Sequence, residues 1–380
     1  MKILHLIYSE QVAGAEKYLA NLLPGLKKEG IDCDLICVCP PRDEYKFIAF
    51  CDTLNAKGVK TVLMTGNRSG FLSVASRINR YLRDNHIDYL HSHLFKSDLL
   101  AVMVKKWFNK KIFLLSTKHG YQEKYLSSYD EHKGRIVYNS YYFISRYLAR
   151  NINEHMTVSK TMSDLYYDLK LTRTRVHYIH HGINMPVVPE TVTEKKFRLG
   201  MPQLVIIGRI EKMKGHQYLF EAMPGIIKQF PQVKLLVIGN GTQKEHLVKL
   251  ASRLGIENNI LFLGFEEDPY PFISHSEVIV LPSLFEPFGL VYIEAFALKV
   301  PVVAFDTPAC NEIVSNNETG LLAPVYNSAA LADKIIYLLQ HPVERKRIGE
   351  NGYAKYTSYY NTERMTRETA AWYRSVITEN

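Results

Sequence analysis

Two stretches of this 380-residue chain combine residue types that could do chemistry. In Gly208-Arg209-Ile210-Glu211-Lys212-Met213-Lys214-Gly215, a glycine turn carries Arg209 and Lys214 to the start of a helix predicted over His216–Gln229. A helix start attracts anions through its unpaired amides and macrodipole, and two cations deepen that preference. In Glu286-Pro287-Phe288-Gly289-Leu290-Val291-Tyr292-Ile293-Glu294, two carboxylates flank a glycine that opens a second helix, predicted over Leu290–Leu298. Glu286 falls in the loop and Glu294 about one turn inside the helix. The amides near Gly289 and Leu290 are helix-start donors. A ligand bearing phosphate and many hydroxyls would use all of these groups. The bland alternatives are a solvated basic loop and a Glu294 that merely complements the helix N-terminus. A weaker signal is Gly239-Asn240-Gly241, a turn that lets backbone approach a flat base or a ribose.

These loops need strands and helices to hold them. Short apolar runs recur at Lys2–Tyr8, Asp34–Cys39, Val59–Met64, Tyr89–His91, Ile112–Thr117 and His155–Val158. Between them lie helical patterns at Ala15–Glu29, Ser73–Asn85 and Asp98–Trp107. After the Pro-containing polar stretch Pro186–Leu199, strand-like runs return at Gln203–Ile207, Val233–Ile238, Ile260–Leu263, Val278–Leu281 and Pro301–Ala304. Their helices are predicted at His216–Gln229, Lys244–Leu254, Leu290–Leu298 and Ala329–Gln340, followed by a helical stretch from Arg345 to Ile377. Alternating strands and helices argue for parallel sheets covered on both faces. The expected fold is therefore α/β, two Rossmann-like domains with parallel sheets facing across a cleft. The expected domains are residues 1–185 and 186–360, with a C-terminal helix at about 360–380 packing back on the first. Ligands in such sheets bind at the carboxyl ends of the strands, where these loops lie.

Composition narrows the partners. The 47% apolar and 22% charged shares are those of a globular protein, which excludes a disordered chain. No apolar run approaches the roughly 20 residues that span a bilayer, and the N-terminal run is too short for a signal peptide, so a cytoplasmic location is expected. The five cysteines lack metal-ligand spacing, and three fall in or beside the Asp34–Cys39 run, where a thiol acts as a small hydrophobe. Residues 1–185 hold 27 Lys and Arg against 17 Asp and Glu, whereas the remainder hold 20 against 21. An excess confined to one half points to an anionic partner there. Arg77, Arg80 and Arg83 on one predicted helix, and Lys105-Lys106-Trp107-Phe108-Asn109-Lys110-Lys111, suit an anionic membrane surface. The Tyr-rich stretch Tyr121–Tyr147 could line an acceptor site or simply pack. His91, His93, His119, His180 and His181 cluster in the same half, yet suitable acidic or cysteine partners are missing, and no metal site is expected.

The two chemical stretches resemble glycosyltransferase family 4, retaining nucleotide-sugar transferases of the GT-B fold. The resemblance rests on Glu286 and Glu294 with seven residues between them, and on Gly208-Arg209 with Lys214-Gly215. Flanking pieces agree in order: Val12-Ala13-Gly14-Ala15-Glu16, Lys118-His119-Gly120, Thr157-Val158-Ser159-Lys160, His181-Gly182-Ile183-Asn184, Asn311-Glu312-Ile313-Val314 and Thr319-Gly320-Leu321-Leu322. It implies that Arg209 and Lys214 neutralise the donor diphosphate, that Glu294 binds ribose hydroxyls, and that Glu286 faces the transferred sugar. Phe288, Gly289 and Leu290 would hold sugar and phosphate through their backbone. Gly14 would admit the diphosphate to the first helix, and His119 would stand beside the reacting sugar. The chain departs from the pattern at Ala13, Pro308-Ala309, His181 and Asn184, which bears on donor and acceptor choice.

The resemblance further implies metal-independent transfer, with a nucleotide sugar as co-substrate and no cofactor, to a glycan or lipid-linked acceptor. An Asp-x-Asp pair to hold a divalent ion is not expected anywhere in the chain. Three other readings compete. A nucleotide-sugar hydrolase or epimerase would keep the fold and change the chemistry. A nucleic-acid-binding module would use the basic half, but no nucleic-acid-binding motif is present and no nucleic-acid partner is expected. A nicotinamide-dependent oxidoreductase is disfavoured because Ala13-Gly14-Ala15 lacks the Gly-x-Gly-x-x-Gly fingerprint.

Overall fold

The computed structural model describes residues 1–66, 70–120, 129–130, 135–136, 139–186, 188, 197–199 and 201–378. Most of the Pro186–Leu199 stretch and the side chains of 121–138 lie outside the described residues. Two compact units form: Met1–Gly182 with Thr362–Asn380, and Ile183–Asn361.

The first unit is built on seven parallel strands in the order β3-β2-β1-β4-β5-β8-β9. They are β1 (Lys2–Tyr8), β2 (Asp32–Cys39), β3 (Lys60–Thr65), β4 (Tyr89–His93), β5 (Phe113–Lys118), β8 (Glu154–Thr157) and β9 (His177–Tyr178). A separate antiparallel ribbon pairs β6 (Tyr129–Asp130) with β7 (Arg135–Ile136). Helices α1 (Gly14–Lys28), α2 (Glu44–Ala56), α3 (Phe71–Asp84), α4 (Phe95–Met103), α5 (Ser140–Asn151) and α6 (Lys160–Asp168) connect the strands. Alternation along β1 sorts its side chains between two cores. Ile3 and Ile7 join Leu19, Leu22, Phe47 and Phe50 on one face. Leu4, Leu6 and Tyr8 join Val74, Ile78 and Leu100 on the other.

The second unit has six parallel strands in the order β12-β11-β10-β13-β14-β15. These are β10 (Gln203–Ile207), β11 (Lys234–Ile238), β12 (Ile260–Gly264), β13 (Val278–Leu281), β14 (Val302–Phe305) and β15 (Gly320–Ala323). Helices α7 (His216–Gln229), α8 (Lys244–Leu254), α9 (Tyr270–Ser274), α10 (Leu290–Ala297), α11 (Pro308–Ile313), α12 (Ser328–Gln340) and α13 (Pro342–Tyr359) surround them.

The helical stretch predicted from Arg345 to Ile377 is two helices. Alpha-helix α13 ends at Tyr359, where Ile183 N–H donates to the Tyr360 carbonyl at 3.0 Å, and α14 (Thr362–Thr378) belongs to the first unit. There Trp372 and Tyr373 are buried, and Arg364 donates to the His180 carbonyl at 2.6 Å. The helix predicted over Asp98–Trp107 also needs correction. It starts at Phe95, ends at Met103 and passes into a wider π-turn over Val104–Phe108, which leaves Trp107 and Phe108 exposed. All five cysteines are free and buried. Among the described residues, no helix is long and apolar enough to cross a membrane.

Candidate functional site

In the second unit β10 pairs with β11 on one side and β13 on the other, so the strand order reverses there. The loops that follow β10 and β13 consequently leave the sheet side by side, at the kind of switch point where open parallel sheets bind ligands. This explains how residues 72 positions apart meet: Lys214 Nζ lies 2.6 Å from Glu286 Oε2, and the Ser283 hydroxyl reaches the same oxygen at 3.4 Å. The two loops are also tied through backbone, Leu284 N–H donating to the Met213 carbonyl at 2.8 Å. Lys214 and Glu286 keep only 16% and 15% of their side-chain surface exposed, enough for a ligand to reach them.

Lys212–Lys214 forms a single 3-10 turn, and α7 starts directly after Gly215. Arg209, by contrast, is exposed on the preceding segment. His216, the first residue of α7, is buried, and among the described residues neither of its ring nitrogens has a partner. Burial, helped by the Lys214 charge, lowers its pKa to about 4 and keeps the ring neutral. Its position beside Lys214 was legible in the sequence; its complete burial was not.

Gly289 caps α10, and Leu290 is the first helical residue. Phe288 is buried against the Tyr360 ring, centroids 6.2 Å apart. Glu294 is the fifth residue of α10, beyond the first turn, which removes the bland reading that it serves the helix N-terminus. It is 5% exposed, and the Tyr270 hydroxyl donates to its Oε1 at 3.5 Å. Tyr270 could not have been found from spacing, because it comes from the short helix α9.

Gly239 and Gly241 have neighbours within the chain itself. A Cβ at Gly239 would fall 2.0 Å from the Gly208 carbonyl oxygen, and one at Gly241 would fall 2.3 Å from that of Ile210. Close packing of these two loops accounts for both glycines without a base or a ribose. Glu211, which sequence reasoning left unassigned, accepts from the Thr242 hydroxyl at 2.7 Å and its amide at 3.1 Å.

In the first unit Gly14 is exposed at the first position of α1, and the Glu16 carboxylate caps the helix by accepting from Ala13 N–H at 2.8 Å. Burial pushes the Glu16 carboxyl up. A cavity of about 640 Å³ opens where β1, β2 and β4 end, lined by Tyr8, Glu10, Arg42, Asp43, Lys46 and Lys96 among others. Its charges are mutually paired, with Lys96 on Glu10 at 2.7 Å and Lys46 on Asp43 at 2.5 Å. Hydrogen bonds from these lysines hold the Glu10 and Asp43 carboxyls low. None of this lining was singled out from the sequence, since its members come from three separate loops.

His119 directly follows β5, edge-on to Tyr18 with centroids 4.9 Å apart. Its Nε2 is 3.0 Å from His93 Nδ1, and burial lowers its pKa to about 3. The structure adds His5, which register places directly opposite His91. His5, His91 and His93 offer ring nitrogens within 4.8 Å of one another, a trio that the sequence did not reveal. The His180-His181 pair is instead gripped through its carbonyls by Arg364.

One Asp-x-Asp triplet does occur, Asp32-Cys33-Asp34, which corrects the expectation of none. It lies at the amino end of β2, the opposite end of the strand from the ligand-binding loops. Asp34 pairs with Lys2 at 3.1 Å and accepts from the Tyr81 hydroxyl at 2.9 Å, so it is occupied structurally.

Two parallel α/β units, the second carrying paired cation and carboxylate loops at its switch point, define the GT-B class of glycosyltransferase. Residues 12–185 match the model of Glycosyltransferase Family 4, and residues 189–355 match that of Glycosyl transferases group 1. The chain belongs to this glycosyltransferase family. Similar proteins include the N-acetyl-alpha-D-glucosaminyl L-malate synthase of Bacillus anthracis, 23% identical over 81% of this chain and 80% of that one. The phosphatidyl-myo-inositol mannosyltransferase of Mycobacterium leprae is 28% identical over 72% and 70%. Among solved structures, Anabaena HepE with UDP and glucose superposes with a TM-score of 0.80 at 20% identity, covering 99% of this chain and 100% of that one.

Proposed function

We propose that this chain is a retaining, metal-independent glycosyltransferase that moves a hexose from a nucleoside diphosphate to an acceptor hydroxyl, in the assembly of a cell-surface glycan or glycolipid. The observation that carries the reading is the Lys214–Glu286 pair, 2.6 Å apart, built by adjacent loops beside two helix starts. Cleaving the bond between anomeric carbon and phosphate places negative charge on the departing diphosphate and positive charge on the sugar ring. Lys214, Arg209 and the amides opening α7 and α10 meet the negative charge, while Glu286 faces the sugar and Glu294 holds the ribose hydroxyls. These cations do the work that a divalent ion would otherwise do, and the donor is a co-substrate, with no cofactor required.

The HepE structures with UDP and UDP-glucose support starting the donor screen with UDP-hexoses. The cavity over β1, β2 and β4, with its mixture of carboxylates and cations, suits a hydroxyl-rich acceptor. Purified protein is incubated with donor and a panel of glycan and lipid-linked acceptors in EDTA, and the product is read by NMR. The expected product keeps the donor's anomeric configuration at an unchanged rate. An inverted anomer, or turnover lost to EDTA and restored by a divalent ion, defeats the reading. Free sugar released without any acceptor favours the hydrolase.

Exposed Trp107 and Phe108 beside Lys105 and Lys106 support docking on the cytoplasmic membrane surface. Flotation with anionic vesicles is expected to carry the protein upward, and Trp107→Ala/Phe108→Ala to weaken this clearly. Equal recovery on neutral vesicles counts against docking.

A further inference from the structure

We propose that His5 and His93 are positioning residues: through one hydrogen-bonded chain they hold His119 as the Nε2–H tautomer, so that its Nδ1 lone pair accepts a hydroxyl of the transferred sugar. This rests on the reading that His119 stands beside that sugar.

Side-chain alternation puts the chain together. His5 on β1, His91 and His93 on β4, and Thr117 on β5 occupy alternate positions of neighbouring parallel strands, so all face the side of the sheet covered by α14. Starting from His119, Nε2 meets His93 Nδ1 at 3.0 Å, and His93 Nε2 meets His5 Nδ1 at 3.0 Å. The His5 Nε2 then faces the Tyr373 hydroxyl at 3.5 Å, which lies 2.5 Å from His91 Nδ1. His91 Nε2 ends the run on the Thr117 hydroxyl at 2.8 Å.

A neutral imidazole has one donor and one acceptor, so the run His119–His93–His5 has only two polarities, whereas the Tyr373 hydroxyl beyond it can donate to either neighbour or accept from both. In the first, these three histidines are Nε2–H and the bonds run from His119 toward Tyr373. In the second, each is Nδ1–H and the bonds run back toward His119. Among the described residues the Nδ1 atom of His119 is the one ring nitrogen of this run without a partner, and it is buried. The second polarity would strand a buried N–H there, which proteins rarely tolerate; the first leaves a lone pair, which a ligand hydroxyl completes. Burial keeps these rings uncharged, His5 and His119 with pKa lowered to about 3, so no imidazolium stands next to the positive charge that develops on the sugar.

A divalent metal held by His5, His91 and His93 is the competing use of the same atoms. Every nitrogen of that trio already has a hydrogen-bond partner, and among the described residues no carboxylate or thiolate joins them. An ion there would bring uncompensated charge into a core where all three residues are fully buried.

The test uses the full chain labelled with 15N-histidine, with two-bond proton–nitrogen correlations reporting each tautomer. His119, His93 and His5 are expected to be neutral Nε2–H rings at pH 7. A His119 ring protonated at Nδ1, or at both nitrogens, overturns the proposal. So does stoichiometric zinc in the purified protein whose removal changes these signals. In the transfer assay, His93→Phe is expected to lower kcat roughly tenfold or more with donor KM nearly unchanged. His93→Asn, whose amide oxygen can stand near the Nδ1 position, should recover most of it. Full kcat in folded His93→Phe, with His119→Ala inactive, overturns the relay alone. Full activity in His119→Ala defeats the underlying reading of His119, and the sugar-facing role with it. Should His93→Phe fail to fold, the wild-type spectra and His93→Asn still decide.

Discussion

Lys214→Ala is expected to lower kcat/KM for sugar transfer by about 100- to 1000-fold, the range for losing one preorganised group that stabilises developing charge. The ammonium is positioned by the turn over Lys212–Lys214 and by its 2.6 Å bond to Glu286, so it is in place before any donor arrives. Removing it does two things. The departing diphosphate loses a cation, and Glu286 loses its charged partner while keeping the Ser283 hydroxyl at 3.4 Å. An unneutralised carboxylate would then repel the phosphates. Glu286→Ala should also abolish most transfer, and the double variant should fall well short of the product of the two losses, because the residues act as a unit. Steady-state kinetics check this, with circular dichroism as the control for folding. Turnover within about threefold of wild type in folded Lys214→Ala would remove Lys214 from the chemistry.

Gly215→Ala has the second large expected effect, on stability. Gly215 has φ +68°, and an added Cβ would sit 1.8 Å from the Pro282 carbonyl oxygen, a backbone atom that cannot swing aside. The left-handed conformation costs a side chain about 1–2 kcal/mol. Overpacking adds about 1–3 kcal/mol. On a unit of this size the combined loss lowers the melting midpoint by roughly 5–20 °C. Gly255 supplies the matched control, with φ +66° and nothing within 4 Å of its Cβ position. Gly255→Ala should lose only the conformational part, about 1–2 kcal/mol. Equal melting midpoints for the two variants would show that the loops after β10 and β13 are not locked as described.

Local patterns made much of the second unit legible. The predicted bounds of α7, α8, β10 and β13 coincide with those found, because each carries its own punctuation: Gly215 before α7, Gly255 after α8, and polar residues around short apolar strands. Elements whose patterns were masked were overlooked. Helix α2 follows Pro40-Pro41 and carries apolar residues on its exposed face (Tyr45, Ile48) as well as its buried one (Phe47, Phe50, Leu54), which blurs the helical period. Strand β15 is four residues long and begins with Gly320. The break after Tyr359 falls in Thr357-Ser358-Tyr359-Tyr360-Asn361-Thr362, residues of lower helix propensity whose weak signal the strong patterns on either side obscure, and the bond from Ile183 N–H to the Tyr360 carbonyl fixes it.

The amino-acid order alone determined which loops carry charge and which open helices, since turn residues, apolar periodicity and helix-start chemistry act over a few neighbours. It therefore pointed to Arg209, Lys214, Glu286 and Glu294 and to two parallel α/β units. Tertiary structure decided which of those residues meet. Strand order brought Lys214 to Glu286 and left Arg209 at the surface, and strand register placed His5 opposite His91. Pairings between distant segments depend on how strands align in the sheet, and no local rule encodes that alignment.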